Sequence, residues 1–90
     1  MTQAWVLINS EMEREDEILK YLNTLKGEKL PRVSQAYTVC GVYDNVALVE
    51  GKDNDAINDF VTAKLRGYRD KRGGTPIRST LTMIIASQNK

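Results

Sequence analysis

The stretch from Val33 to Gly51 constrains this chain more than any other: Val-Ser-Gln-Ala-Tyr-Thr-Val-Cys-Gly-Val-Tyr-Asp-Asn-Val-Ala-Leu-Val-Glu-Gly. Two runs of β-branched and aromatic residues, which favour pleated backbone, flank the short segment Tyr43-Asp44-Asn45. Asp and Asn tolerate tight turns because their side chains bond nearby backbone groups. The pattern predicts a β-hairpin. Gly41, just ahead of the turn, marks either a bulge or a place where another group approaches the backbone closely.

The rest of the chain falls into order around this hairpin. Ala4-Trp5-Val6-Leu7-Ile8 is apolar at both alternating positions, as a central strand covered on each side would be. Ser10 and Glu13 have capping-box spacing, and Glu11, Glu13, Glu15, Asp16 and Glu17 suit the positive end of a helix dipole. A first helix is expected from there, with Ile18, Leu22 and Leu25 as its apolar stripe, Leu19 beside them, and Gly27 and Pro31 as its stop. After the hairpin, Gly51 to Asp55 is rich in turn and capping residues. Ile57, Phe60, Val61 and Leu65 then recur at helical spacing, leaving Asn58, Asp59, Thr62 and Lys64 toward water. This second helix ends either at Gly67 or a few residues on, at Asp70. A loop follows to Pro76, and a last strand is expected over Ile77 to Ala86, with Ile77, Leu81, Met83 and Ile85 on one face and Arg78, Thr80, Thr82 and Ile84 on the other.

The element order βαββαβ reads as an α+β, ferredoxin-like antiparallel sheet with two helices on one face. That arrangement leaves the second, apolar sheet face uncovered, and soluble monomers rarely expose such a patch. A second copy packed sheet against sheet, a dimeric α/β barrel, resolves the problem. At 90 residues the chain makes one domain, 1–90, small enough that self-association is a usual aid to stability.

Composition narrows the chemistry. A net charge of +1 gives no broad attraction to nucleic acid or to an acidic membrane surface. The apolar run near the N-terminus is too short to span a bilayer and lacks the flanks of a signal peptide. The sole cysteine, Cys40, has no partner for an intrachain disulfide, and a free Cys in a strand is expected to be a small buried hydrophobe. These features point to the cytoplasm. With no histidine, no Gly-x-Ser-x-Gly and no P-loop, neither catalysis nor a metal or other cofactor is expected. Glu50 and Asp53 are explained as a strand-end acid and a helix-cap acid. Acylphosphatases share the topology, but Asn9-Ser10-Glu11 stands where their phosphate loop would be. The basic cluster Lys64, Arg66, Arg69, Lys71 and Arg72 reads as a solvated helix end suited to the dipole, and Trp5 lacks the later aromatic motif of an RNA-binding sheet. No direct nucleic-acid contact is expected.

The hairpin tip remains. Gly41-Val42-Tyr43-Asp44-Asn45 sets an aromatic ring, a carboxylate and a carboxamide beside an open backbone. Such a group can hold a free amino acid, its ammonium on Asp44 or Asn45 and its carboxylate on backbone N–H groups. The same Asp44-Asn45 pair would equally serve simply to build the turn.

Leu30-Pro31-Arg32-Val33, Ala36-Tyr37, Gly41-Val42-Tyr43-Asp44 and the closing Thr80-Leu81-Thr82 ahead of Met83-Ile84-Ile85 resemble, in order and spacing, the ligand-binding (RAM) module of Lrp/AsnC regulators. The resemblance implies an amino-acid effector bound near the hairpin at a contact between dimers. It carries over Gly41, Tyr43 and Asp44 as the G-x-Y-D motif and Thr80 and Thr82 as the last-strand threonines, so the expected ligand-binding set is Gly41, Val42, Tyr43, Asp44, Asn45, Thr80 and Thr82. It also implies a homodimer, with tetramers or octamers built from it, whose output would need a partner, either a full-length Lrp/AsnC regulator with which it co-assembles or an enzyme it modulates. Those regulators carry an N-terminal helix-turn-helix domain for which residues ahead of the first strand leave no room, so the chain is expected to be either a stand-alone module, which the Met1-Thr2-Gln3 start favours, or an excised fragment. Three rivals share the topology. An ACT domain normally has Gly or Pro in the loop after the first strand, absent from Asn9-Ser10-Glu11-Met12. A dimeric α/β-barrel enzyme, a cofactor-free monooxygenase or isomerase, needs a pocket inside each subunit between helices and sheet. A purely structural oligomerisation unit would have ligand-indifferent contacts.

Overall fold

The computed structural model describes residues 1–86, so residues 87–90 of the expected domain lie outside it. Its elements are β1 (Thr2–Ser10), α1 (Glu15–Thr24), β2 (Arg32–Thr38), β3 (Asn45–Gly51), α2 (Asn54–Phe60) and β4 (Ile77–Ile84). The second helix continues from Phe60 as a π-helical segment, Val61–Arg66. The strands form one sheet in the order β2-β3-β1-β4, every neighbouring pair antiparallel. This is the ferredoxin-like arrangement expected from the sequence.

Strand alternation decides which residues meet the helices. Ala4, Val6 and Ile8 of β1 pair with Val49, Ala47 and Asn45 of β3 on the covered face. Ile18 and Leu22 from α1, Ile57 and Phe60 from α2, and Val61 and Leu65 from the π-helical segment close over them, joined by Val33 and Ile77. The predicted helix stripes are therefore the core, with Leu25 half-buried at its edge and packed against it.

The start of α1 departs from expectation. Ser10 does not cap a helix: it is the last residue of β1, buried, and its N–H donates to the Asp44 carboxylate at 2.8 Å. The next residue, Glu11, donates its N–H to the Pro76 carbonyl at 2.8 Å, so sheet-like bonding continues past the strand end and uses the residues a cap would need. Glu13 takes a positive φ of 63° and the helix begins only after Arg14, which caps without a side-chain bond. Glu15, Asp16 and Glu17 do occupy the first turn, where the dipole favours them.

Asp53 opens α2 by accepting the Ala56 N–H at 2.8 Å. Of the two ends open for this helix, the structure takes Gly67, which follows Arg66 as the cap. A Cβ there would stand 2.6 Å from the Ala63 carbonyl oxygen, so the close approach of backbone requires glycine. The Tyr21 hydroxyl donates to the Lys64 carbonyl at 2.7 Å, and its ring stacks on Tyr68 with centroids 4.0 Å apart, tying the end of the helix to α1. The final strand closes at Ile84, two residues short of the expected Ala86.

Leu22 is fully buried between α1 and the sheet. Leu22→Ala should lower unfolding free energy by about 2–5 kcal/mol in urea titration, whereas Lys20→Ala, on the exposed side of the same helix, should change it little.

Candidate ligand-binding site

The hairpin forms, but its strands part earlier than the residue pattern suggests. Pairing ends at Thr38 with Asn45, and Val39–Asp44 makes a six-residue connection closed by the Val39 N–H on the Asp44 carbonyl at 2.9 Å. Gly41 adopts φ of 148°, a conformation other residues avoid, with nothing near its missing Cβ. Val42 is 85% exposed. Cys40, expected in a buried strand position, is exposed instead, because it lies in the connection rather than in the ladder. Tyr43 and Asp44 are half-buried.

Asp44 has a defined structural task. Its N–H donates to the Ile8 carbonyl at 2.9 Å and its Oδ2 accepts the Ser10 N–H at 2.8 Å, which pins the connection to the end of β1. Asn45 is fully buried on the helix side, where Nδ2 donates to the Glu15 carbonyl and to the Thr38 hydroxyl, each at 3.2 Å. Its Oδ1 has no partner among the described residues. Thr80 and Thr82 pair with Ile8 and Val6 and share the covered side of β4, both half-buried. Strand β1 stands between β4 and β3, and Ile8 pairs with Thr80 on one side and with Asn45 on the other, so within one copy Thr80 lies one strand across from the base of the hairpin and Thr82 further along β4. The expected set thus separates into an exposed tip of Gly41 and Val42, a half-buried Tyr43 and Asp44, an interior Asn45, and a distinct strand pair.

The sheet face away from the helices carries Trp5, Leu7, Val46, Leu48, Tyr37, Leu81 and Met83. Tyr37, Leu81 and Met83 are nearly half exposed, at 49%, 46% and 48%. One end of this face is ionic: Glu50 accepts from Arg32 Nε on Oε1 and from Gln3 Nε2 on Oε2, both at 2.8 Å. Although only 6% exposed, Glu50 is held below the usual carboxylate range, first by the Arg32 bond and then by Gln3, against the opposing effect of burial. Arg32 is fixed in turn by the Gly27 and Glu28 carbonyls.

A second charged cluster had no local signature in the sequence. Arg14 binds Glu17 at 2.7 Å and Asp70, 56 positions away, at 2.9 Å. Asp70 Oδ1 also accepts the Arg72 and Gly74 N–H groups, and the Tyr68 hydroxyl donates to Glu17 at 3.2 Å. Arg14, Glu17, Tyr68, Asp70, Lys71 and Arg72 line an open cleft of about 490 Å³ between the start of α1 and the segment after the π-helical turn. Hydrogen bonds from Arg14 are the main reason the carboxyl groups of Glu17 and Asp70 lie below their ordinary range. Among the described residues no group of side chains has a metal-binding arrangement, and no helix is long and apolar enough to cross a membrane.

Neither a protein-family model nor a curated protein matches the chain. Solved structures do. TTHA0845 from Thermus thermophilus is 28% identical over 100% of this chain and 99% of its own, with a TM-score of 0.81. E. coli AsnC superposes with a TM-score of 0.75 at 20% identity, over 97% of this chain and 52% of its own. A transcriptional regulator from Neisseria meningitidis, NMB0573, solved as a complex with L-Met, aligns over 99% of this chain and 52% of its own at 15% identity and a TM-score of 0.67. The chain has the RAM-type fold of Lrp/AsnC regulators. This RAM-type domain spans about half the length of those regulators and nearly the whole of TTHA0845.

The depressed carboxyl groups of the RAM-type domain set a pH dependence. A group whose pKa is lower folded than unfolded contributes stability above its unfolded pKa and loses it as pH falls through the folded value. Glu17, Asp70 and Glu50 all have this sign. The melting temperature should therefore fall as pH drops through and below the ordinary carboxylate range, and Arg14→Met should flatten that dependence by removing the Glu17 and Asp70 contributions. An unchanged slope in calorimetry would refute the assignment.

Proposed function

We propose that this domain is a cytoplasmic amino-acid-sensing and oligomerisation module that pairs through its open sheet face and binds its effector at a contact between subunits. The observation that carries the reading is the two-sided apolar sheet: helices cover one face, while Trp5, Leu7, Leu48, Leu81 and Met83 line the other. A second copy covers such a face with matching chemistry, because strands of one sheet laid on another bury both apolar surfaces at once. The Glu50, Arg32 and Gln3 network supports this, since both carboxylate oxygens are satisfied within one chain and bring no unpaired acceptor to a contact.

The hairpin tip is the effector end of the proposal. Gly41 leaves its backbone open, Val42 projects into solvent, and Tyr43 and Asp44 stand behind them. A tip this exposed suits a pocket completed by a neighbouring dimer, to which Thr80 and Thr82 contribute from the last strand, across β1 from the hairpin. An amino acid as effector is supported by the complex of NMB0573 with L-Met and by the Gly41, Tyr43 and Asp44 match. A ligand bound across the contact stabilises whichever assembly contains the complete pocket, by mass action. The output passes to full-length Lrp/AsnC-type regulators by co-assembly, or to amino-acid metabolism through a partner enzyme.

Two measurements test the proposal. In thermal shift against the twenty amino acids, at least one should raise the melting temperature, and Asp44→Asn, which keeps an oxygen for Ser10 but removes the charge, should weaken that effect about tenfold or more. No stabilisation by any of the twenty would overturn sensing. Light scattering should give a dimer or larger for the wild type and a smaller species for Met83→Glu, which sets a charge on the open face; a monomeric wild type would overturn the pairing.

A further inference from the structure

Two buried side-chain oxygens have no hydrogen-bond partner among the described residues: Ser10 Oγ and Asn45 Oδ1. Both lie at one end of the helix-covered sheet face. Alternation along β1 puts Ser10 on the same side as Ala4, Val6 and Ile8, and Ile8 pairs directly with Asn45 of β3. Ser10 and Asn45 are therefore diagonal neighbours across two paired strands, a relation that sets residues about 7–8 Å apart. The Asn45 amide is oriented by what it donates to. Nδ2 bonds the Glu15 carbonyl and the Thr38 hydroxyl, and because a carbonyl only accepts, the nitrogen must be on that side. Thr38 belongs to β2, on the far side of β3 from β1, so Oδ1, the other branch of the amide, faces back toward β1 and Ser10. Ser10 is 8% exposed and Asn45 fully buried, so bulk solvent reaches neither oxygen. Two unmet polar atoms in one interior corner are costly, and a group that bonds both relieves that cost.

We infer that this corner binds one internal water molecule, which bridges Ser10 Oγ and Asn45 Oδ1 and positions Asp44. Water fits the pair: the amide oxygen only accepts, the hydroxyl both donates and accepts, and water can donate to the first while taking either role with the second. A metal ion does not match, since no group of side chains among the described residues has a metal-binding arrangement and the Asp44 carboxylate is engaged through Oδ2 by the Ser10 N–H. Asp44 stands between the bridged residues, with its own N–H on the Ile8 carbonyl. The water adds a side-chain link to these two bonds, so the base of the hairpin and the end of β1 are held as one unit. The inference stands on one copy of the chain and does not depend on what the hairpin tip binds.

A crystal structure of the full chain at a resolution that resolves ordered water, together with melting curves of the wild type and Ser10→Ala, tests it. One water is expected within hydrogen-bond distance of both Ser10 Oγ and Asn45 Oδ1. No density between them, or the two side chains bonded directly to each other, would overturn the inference. The melting curves decide by their sign. With the bridge in place, Ser10→Ala lowers the melting temperature by a few degrees, because the Asn45 oxygen loses part of its bonding, and deuterium exchange of the Asp44 N–H speeds up severalfold. A raised melting temperature is what deleting a hydroxyl with no bond would give, and it would overturn the bridge. A melting temperature that differs among sodium, potassium and tetramethylammonium chloride at matched ionic strength would put a cation in the corner and overturn the assignment to water. Amino-acid stabilisation of a wild type without this water would overturn the inference and leave the sensing proposal standing, whereas the water without any such stabilisation would do the reverse.

Discussion

A sheet with apolar residues on both faces and helices on only one is the constraint under which the rest of this structure operates. β1 carries it most directly: Ala4, Val6 and Ile8 go under the helices, while Trp5 and Leu7 face the other way between β3 and β4. A strand of this kind is held centrally by ladders on both sides, and both of its neighbours are consequently locked in register. The covered face forms a continuous core from Ile18 and Leu22 through Val6 and Ala47 to Ile57 and Leu65. The open face has no such cover among the described residues, and this asymmetry rather than any single residue is what the proposed association rests on.

Charge is distributed to match. On the open face, Glu50 is satisfied on both oxygens within the chain, by Gln3 and Arg32. The other ion pairs among the described residues are those of Arg14, which gathers Glu17 and Asp70 and joins the first helix to the segment before β4. These two networks differ in setting: Glu50 is nearly buried, whereas Arg14 and Glu17 are substantially exposed to solvent that screens them. The Arg14 cluster therefore contributes more to the placement of residues 68–74 than to net stability.

Much of the fold was legible because its signals are local. A run apolar at both alternating positions marked β1, β-branched and aromatic composition marked the hairpin strands, and alternation marked the last strand, although Ile77 goes to the core rather than to the face of Leu81 and Met83; the i, i+3, i+4 spacing of Ile57, Phe60 and Val61 marked the second helix. The hairpin was legible too, though not the length of its connection. Thr38, Val39 and Cys40 have the composition of a strand, yet the chain leaves the ladder after Thr38. The buried Asn45 is tied to Glu15 and Thr38, and Asp44 turns toward β1, so neither is available to close the short Tyr43-Asp44-Asn45 turn expected from the sequence. The apparent capping box at Ser10 failed for the same reason, its backbone being taken by Asp44 from 34 positions away.

Of the candidate site, the sequence by itself determined the residue types: glycine where φ is positive, an acid and an aromatic behind it, threonines on one face of the last strand. Those follow from composition and alternation, which are properties of neighbouring residues. Only the tertiary structure decided that Asn45 is interior, that Cys40 is outside, that Asp44 braces β1, and that Arg14 meets Asp70. Each of these rests on a hydrogen bond, a strand end or a packing choice between segments distant in sequence, and no period along the chain encodes which distant group will supply the partner.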